Sequence, residues 1–185
     1  MQGNGKRLAS FASYVPNLVL SHGLTGLSAP KLEARVLQAR GSALYISFDL
    51  LPHAIYTLQG DAHNGSHLAL KTLQNSVTTF FHPLLQIIHS RGGDVIRLSA
   101  SAILCCWIRA KAQTDVTAIL RTIECAKAVR RFLSSNIPEI KANYGIGYGC
   151  FNFLHVGGFR NQFRLVVTGP PIHQAASALQ VVCGT

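Results

Sequence analysis

Gly92-Gly93-Asp94-Val95-Ile96-Arg97-Leu98-Ser99-Ala100-Ser101-Ala102-Ile103-Leu104-Cys105-Cys106-Trp107 is the stretch on which the reading of this chain turns. Arg91-Gly92-Gly93-Asp94 is a strong turn signal, since glycine adopts backbone angles closed to other residues. Val95 to Leu98 and Ala102 to Trp107 are then two apolar runs on either side of three small residues. Short apolar runs separated by turn-prone residues predict two strands joined by a tight hairpin, its tip at Ala100-Ser101.

Working outward, Ala43 to Leu51 is a short apolar and aromatic run preceded by Gly41-Ser42 and stopped by Pro52, which predicts a buried strand. From about Asn64 to His89, Leu70, Leu73, Val77, Phe80, Phe81, Leu84 and Ile88 recur at helical spacing. Pro83 removes one backbone donor inside that run, so a kink is expected there. Downstream, Thr114 caps a helix from Asp115 to about Leu133 with Val116, Ile119, Leu120, Ile123, Ala126 and Val129 inward. Arg130 and Arg131 then sit near its C-terminal, dipole-favoured end.

The last third is rich in glycine and aromatics: Tyr144-Gly145-Ile146-Gly147-Tyr148-Gly149, Phe151, Phe153, a Gly157-Gly158 turn, and Phe163 to Val167. It reads as strands joined by a hairpin, and its glycines as strand glycines, because no helix follows to make a dinucleotide fingerprint. Asp94 reads as a turn residue. Pro170-Pro171 opens a short helix from Ile172 to Leu179. The order is βαββαβ, which predicts an α+β, ferredoxin-like core with an antiparallel or mixed sheet and helices on one face. Residues 41–185 form the domain and residues 1–40 a lead-in that packs on it.

Composition bounds the function. The chain has 185 residues, 48% hydrophobic and only 13% charged, enough for one domain with a substantial core. Its longest apolar runs, such as Ala102 to Ile108, fall short of the roughly 18 residues a spanning helix requires. The formal charge of +10 comes from 17 Lys+Arg against 7 Asp+Glu. The basic residues are scattered, with Arg130-Arg131 a tight pair, so nucleic-acid binding is the least favoured reading. Five cysteines without CxxC spacing argue against a zinc site or a disulfide framework and for a reducing, cytoplasmic setting. The acid-free first 30 residues, with Lys6 and Arg7, leave a mitochondrial leader as the alternative. Of the histidines, only His63 and His67 have a spacing that suits a metal.

On these residues the chain resembles the class III nucleotidyl cyclase catalytic domain, closest to the first cyclase domain of the bicarbonate-responsive soluble adenylyl cyclases. Gly92 to Trp107 aligns without a gap to the family's GGD-(I/V)-(I/L)-K-F-A-G-D-A-L-L-x-x-W. Ala12 to Leu18 is similar to the lead-in, and Gly169 to Leu179 to the last helical motif. The resemblance implies two divalent metals, Mg or Mn with ATP, held by two aspartates. Asp49 matches the first, and Ser101 stands where the second is expected. It implies nucleotide contacts at Leu50, Leu51, Pro52, His53 and Ala100. It places Arg97 at the lysine of the bicarbonate site, and His173 and Ser177 at the asparagine and arginine that a partner domain supplies to the transition state.

Two ions side by side need carboxylates to offset their repulsion, and a serine hydroxyl is neutral. Pro52 also removes an amide donor where the family has a phosphate-facing glycine turn. The resulting expectation is a catalytically degenerate cyclase-homology domain. It would serve as a structural or regulatory half in cAMP-type signalling, paired with a cyclase-like domain in a homo- or heterodimer. An active adenylate cyclase making cAMP from ATP with a complementary domain is the alternative. Asp49 itself reads equally as a hydrogen-bonding strand end and as a residual metal ligand. In the family the chain would continue past Thr185 into a further strand, so a C-terminal truncation is expected.

Overall fold

Strand β1 runs from Arg35 to Phe48 in the computed structural model, which describes residues 35–49, 67–110, 112–157 and 163–183. It begins well before the apolar run at Ala43 and ends before Leu51. Pairing rather than hydropathy extends it: Arg35 through Phe48 lie antiparallel to His155 back through Ala142 of β4 (Ala142–Gly157). The other elements are α1 (His67–Ser90), β2 (Asp94–Leu98), β3 (Ala102–Ile108), α2 (Asp115–Asn136), β5 (Phe163–Thr168) and α3 (Pro170–Cys183). The hairpin stands where the sequence puts it, and α1 continues through Pro83 to Ser90.

The sheet order is β2-β3-β1-β4-β5, with antiparallel pairing throughout. Alternation along each strand divides the side chains between two cores. On one face Leu44, Ile46 and Phe48 of β1 and Ile103, Cys105 and Trp107 of β3 meet Leu84 and Ile88 of α1 and Cys125 and Val129 of α2. Phe48, Phe80 and Phe81 close its end edge to face, with centroids 4.9 to 6.4 Å apart. On the other face Ala43, Leu104, Cys106, Phe151 and Phe153 meet Ala175 of α3. The two helices of the βαββαβ core therefore share one face as expected, while the last helix lies on the opposite one.

Gly145 and Gly147 explain how α3 gets there. A Cβ on Gly145 would meet the Ala175 carbonyl oxygen, and one on Gly147 the Pro171 carbonyl oxygen. Helix backbone lies directly on strand backbone, which only glycine permits. The helix is longer than the Ile172 to Leu179 expected, and its buried stripe is Pro171, Ala175 and Leu179.

The inward face of α2 differs from the sequence reading. Val116 is 63% and Leu120 52% exposed, and the buried stripe is Ala118, Thr122, Cys125, Val129 and Leu133. The cause is a buried polar complement on β1. The Ser42 and Thr122 hydroxyls lie 2.5 Å apart and each is 3.1 Å from the Ala118 carbonyl, so one hydroxyl donates to the other, which donates to the carbonyl. Burying these hydroxyls is tolerable only when they are paired, so this row rotates inward and the branched apolar residues turn out. The helix also runs on to Asn136, which leaves Arg130 and Arg131 short of its last turn. Thr114 does cap it, accepting from Thr117 N at 3.3 Å.

Strand β2 contains a bulge: Val95 pairs with Cys105, but Arg97 pairs with Leu104. Asp94 is a buried strand residue opposite Cys106 rather than a turn residue, the turn being Arg91-Gly92.

Cys105, Cys106 and Cys125 are buried free thiols. Burial pushes all three thiols up, Cys125 to about 11. In the unfolded chain they ionise at ordinary values, so above those values the unfolded state holds fewer protons than the folded one. Stability is then full below about pH 8.5 and falls as pH rises toward 11, by up to about 1.4 kcal/mol per pH unit and thiol. Urea midpoints measured from pH 8 to 10.5 should fall, and Cys125→Ala should flatten the slope. A slope unchanged in that variant would count against this origin.

Candidate functional site

The hairpin tip and the end of β1 meet at one end of the sheet. Phe48 N donates to the Ser101 carbonyl at 2.8 Å, which fixes the tip against β1. The next residue, Asp49, donates its backbone N–H to the Lys141 carbonyl at 3.1 Å, and its Oδ1 accepts from Asn143 Nδ2 at 3.3 Å. The tip is locked from its own side as well, since Ser99 donates to the Ala102 carbonyl through both its backbone N–H at 2.9 Å and its hydroxyl at 3.1 Å. Two sequence-predicted positions, Asp49 and Ser101, are thus on adjacent strand ends, both exposed.

Beside them lies a cavity of about 200 Å³ lined by Tyr45, Arg97, Ser99, Ser101, Ala102 and Leu104. Its walls follow from register. Tyr45 pairs with Leu104 and Leu104 with Arg97, so three side chains stand in a row across β1, β3 and β2 on one face. Arg97 and Ser101 are therefore brought together in one cavity. Ala100 is exposed at the tip and is not part of that lining. Tyr45 and Ser99 were not foreseen from the sequence. The hairpin tip sets the pairing of β2 with β3, whereas Tyr45 enters through the β1–β3 register.

His173 and Ser177 are exposed on α3, on the side away from the buried Pro171-Ala175-Leu179 stripe, and do not line the cavity. Leu50, Leu51, Pro52 and His53 lie outside the described residues, as do the lead-in 1–34, His63 and the side chain of His67.

The donor set does not suit a pair of divalent ions. Such ions want several anionic oxygens, whereas Asp49 offers one carboxylate with an amide bonded to one of its oxygens, and Ser101 a neutral hydroxyl. Among the described residues no group of three or more His, Cys, Asp or Glu could hold a metal. What the arrangement presents is an exposed carboxylate on one side and a guanidinium with two hydroxyls on the other, a polar cleft suited to binding.

A second polar cluster lies on the face that carries α1 and α2. Asp115 at the start of α2 bridges Arg40 Nη2 at 3.3 Å and Arg109 Nε at 3.2 Å, and the Arg40 guanidinium lies 5.8 Å from the Tyr148 ring centroid. Desolvation, followed by the Asp115 carboxylate, raises the Tyr148 phenol. These pairs are partly exposed and tie β1 and β4 to the helix start, a structural role of modest energy.

No protein-family model matches the sequence, and no curated protein sequence does. Solved structures do match in shape. A bacterial light-regulated adenylyl cyclase superposes with a TM-score of 0.63 at 14% identity over 98% of this chain and 49% of its own. The adenylyl cyclase CyaB from P. aeruginosa gives 0.63 at 9% identity over 80% and 74%. The guanylyl cyclase domain of the RhoGC fusion protein from Blastocladiella emersonii gives 0.54 at 13% identity over 80% and 77%. This chain spans about half the length of the light-regulated cyclase chain. At these identities the likeness is one of fold, and the fold is that of adenylyl and guanylyl cyclase domains. No helix among the described residues is long and apolar enough to cross a membrane.

Proposed function

We propose that this chain is a catalytically degenerate cyclase-homology domain, a structural or regulatory half that pairs with a cyclase-like domain. The observation that carries the reading is Ser101. It sits at the hairpin tip, bonded through its carbonyl to Phe48 N, on the strand end next to Asp49. The resemblance puts a second metal aspartate at that point, and the hydroxyl there cannot supply its charge. Losing charge stabilisation worth several kcal/mol at the centre of a phosphoryl-transfer site costs orders of magnitude in rate.

The cavity containing Arg97, Ser99 and Ser101 supports weak binding of the nucleotide rather than its turnover. One of the structural neighbours is described as a class III adenylyl cyclase-like ATP-binding protein from Pseudomonas aeruginosa, with a TM-score of 0.54 at 13% identity. It gives a precedent within the fold for describing such a domain by binding. By the resemblance, His173 and Ser177 on α3 stand for the asparagine and arginine a partner domain contributes, and neither brings the cation of an arginine. A homodimer would therefore not repair the site, and a role in cAMP-type signalling would run through a partner domain.

The test is a cyclase assay with Mn and ATP on the purified chain, alone and with a complementary cyclase domain. The expected result is no cyclic AMP above background from the chain alone. Robust product that disappears in Asp49→Ala would overturn the reading in favour of an active adenylate cyclase. Asp49 is the feature that favours this second reading, since a carboxylate is retained and exposed at the strand end where the resemblance wants a ligand.

A further inference from the structure

The basic residues that look scattered along the sequence are not all scattered in space. The turn after α1 and the middle of α2 enclose a cleft of about 360 Å³ lined by Ser90, Arg91, Gly92, Arg121 and Glu124. It lies by the helices, while the hairpin cavity opens by Tyr45, Leu104 and Arg97 on the sheet face that α3 shares. We propose that this cleft binds a phosphate-class dianion, free or carried on a small molecule, independently of the cyclase-like site.

Four observations carry it. First, both guanidiniums are positioned by neutral acceptors. Arg91 Nη1 donates to the Ile87 carbonyl at 3.3 Å and to Ser90 Oγ at 3.4 Å. Assigning the Gln113 amide by its surrounding donors turns its oxygen toward Arg121, where it accepts from Nη1 at 2.9 Å and Nη2 at 3.2 Å. Second, among the described residues neither arginine joins an ion pair: those formed link Arg40 and Arg109 to Asp115. The single carboxylate in the lining, Glu124, leaves the cleft with net positive charge, in a chain whose total is +10. Arginine presents a planar fork of donors that matches phosphate oxygens.

Third, the end of α1 does not present bare carbonyls to a ligand. Arg91 N and Gly93 N bond the Ile88 carbonyl, Gly92 N bonds that of His89, and Ser90 Oγ bonds that of Ile87. The repulsion an anion would meet at a helix C-terminus is thereby reduced. Fourth, Gly92 leaves the backbone bare on this side. Its φ is +73°, and a Cβ there would meet nothing within 4 Å, so the turn leaves room for a ligand.

The chain carries its own reporter. Its single tryptophan, Trp107, is buried, and its Nε1 donates to the Arg91 carbonyl at 3.0 Å. A ligand that draws on Arg91 perturbs that bond.

The test is a titration of the whole chain with inorganic phosphate at constant ionic strength, read by Trp107 fluorescence and by the amide NMR shifts of Gly92 and Gly93. Saturable binding is expected, weakened at least about tenfold by Arg91→Ala and by Arg121→Ala, since hydrogen bonds to charged groups are the stronger kind. Glu124→Gln should tighten binding, a gain that misfolding cannot produce, and Arg97→Ala should leave it unchanged. Phenyl phosphate separates the two sources: a phosphomonoester site binds it more tightly than inorganic phosphate, and a free-ion site more weakly. Absence of saturable binding overturns the proposal. So does binding that survives both arginine variants, or binding abolished by Arg97→Ala.

Discussion

Ser101→Asp should give the protein a Mn²⁺ site that it otherwise lacks in useful strength, with affinity raised at least about tenfold, as expected when a carboxylate is added to a hard-cation site. The tip is already fixed by the Phe48–Ser101 and Ser99–Ala102 bonds. The new side chain would therefore start from an ordered backbone on the strand end next to Asp49. The gain should vanish when Asp49→Ala is added, which distinguishes a shared ion from adventitious binding to one acid. Calorimetry or Mn²⁺ spin resonance reads it directly. Cyclic AMP formation should stay near background even so if, as the resemblance implies, His173 and Ser177 replace the asparagine and arginine of a complementary half. Full activity on restoring one aspartate would mean that Ser101 is the whole defect and that the other departures are tolerated. No gain in affinity at all would mean that the hairpin tip does not face Asp49 as argued.

Gly147→Val should strongly destabilise the sheet face under α3. The first atom of the new side chain would meet the Pro171 carbonyl oxygen, which is backbone and cannot swing aside as a side chain can. Relief requires moving α3 away from β4, opening the core formed by Ala175, Phe151 and Phe153. With backbone as the obstacle, the cost should reach about 3 kcal/mol, the upper end of the usual range for overpacking, a fall of roughly 6 to 12 °C in melting temperature for a domain of this size. Gly92→Ala provides the contrast. Its φ of +73° penalises a side chain, but the space is open, so about 1 to 2 kcal/mol is expected. A melting temperature for Gly147→Val equal to that of Gly92→Ala would show that α3 does not press on the strand.

The hairpin was legible because its punctuation is local: glycines before it, small residues at its tip, apolar runs between. The position of Ser101 came with it. The inward face of α2 was not legible, because Ala118, Thr122 and Cys125 carry little apolar signal of their own. They are buried because Ser42, far away in sequence, offers Thr122 a partner. The first half of β1 was missed for a similar reason. Arg35 to Arg40 has no strand-like alternation to announce it and is ordered by β4. Strand glycines were recognised at Gly145 and Gly147, but what required them was a helix whose placement no spacing in the sequence specifies. At the site, Asp49 and Ser101 could be named in advance, whereas Tyr45 and Ser99 depend on cross-strand register.

The bulge in β2 makes the location of a charge depend on counting. In an unbroken ladder, with Val95 opposite Cys105, Ile96 would face Leu104 and Arg97 would face Ile103, putting a guanidinium against the fully buried residues shared with α1 and α2. One surplus residue reverses the phase and delivers the arginine to the open cleft instead. Chain length between Gly93 and the tip thus works as a selector switch with two settings, and no substitution of Arg97 can replicate what a single insertion or deletion there would do.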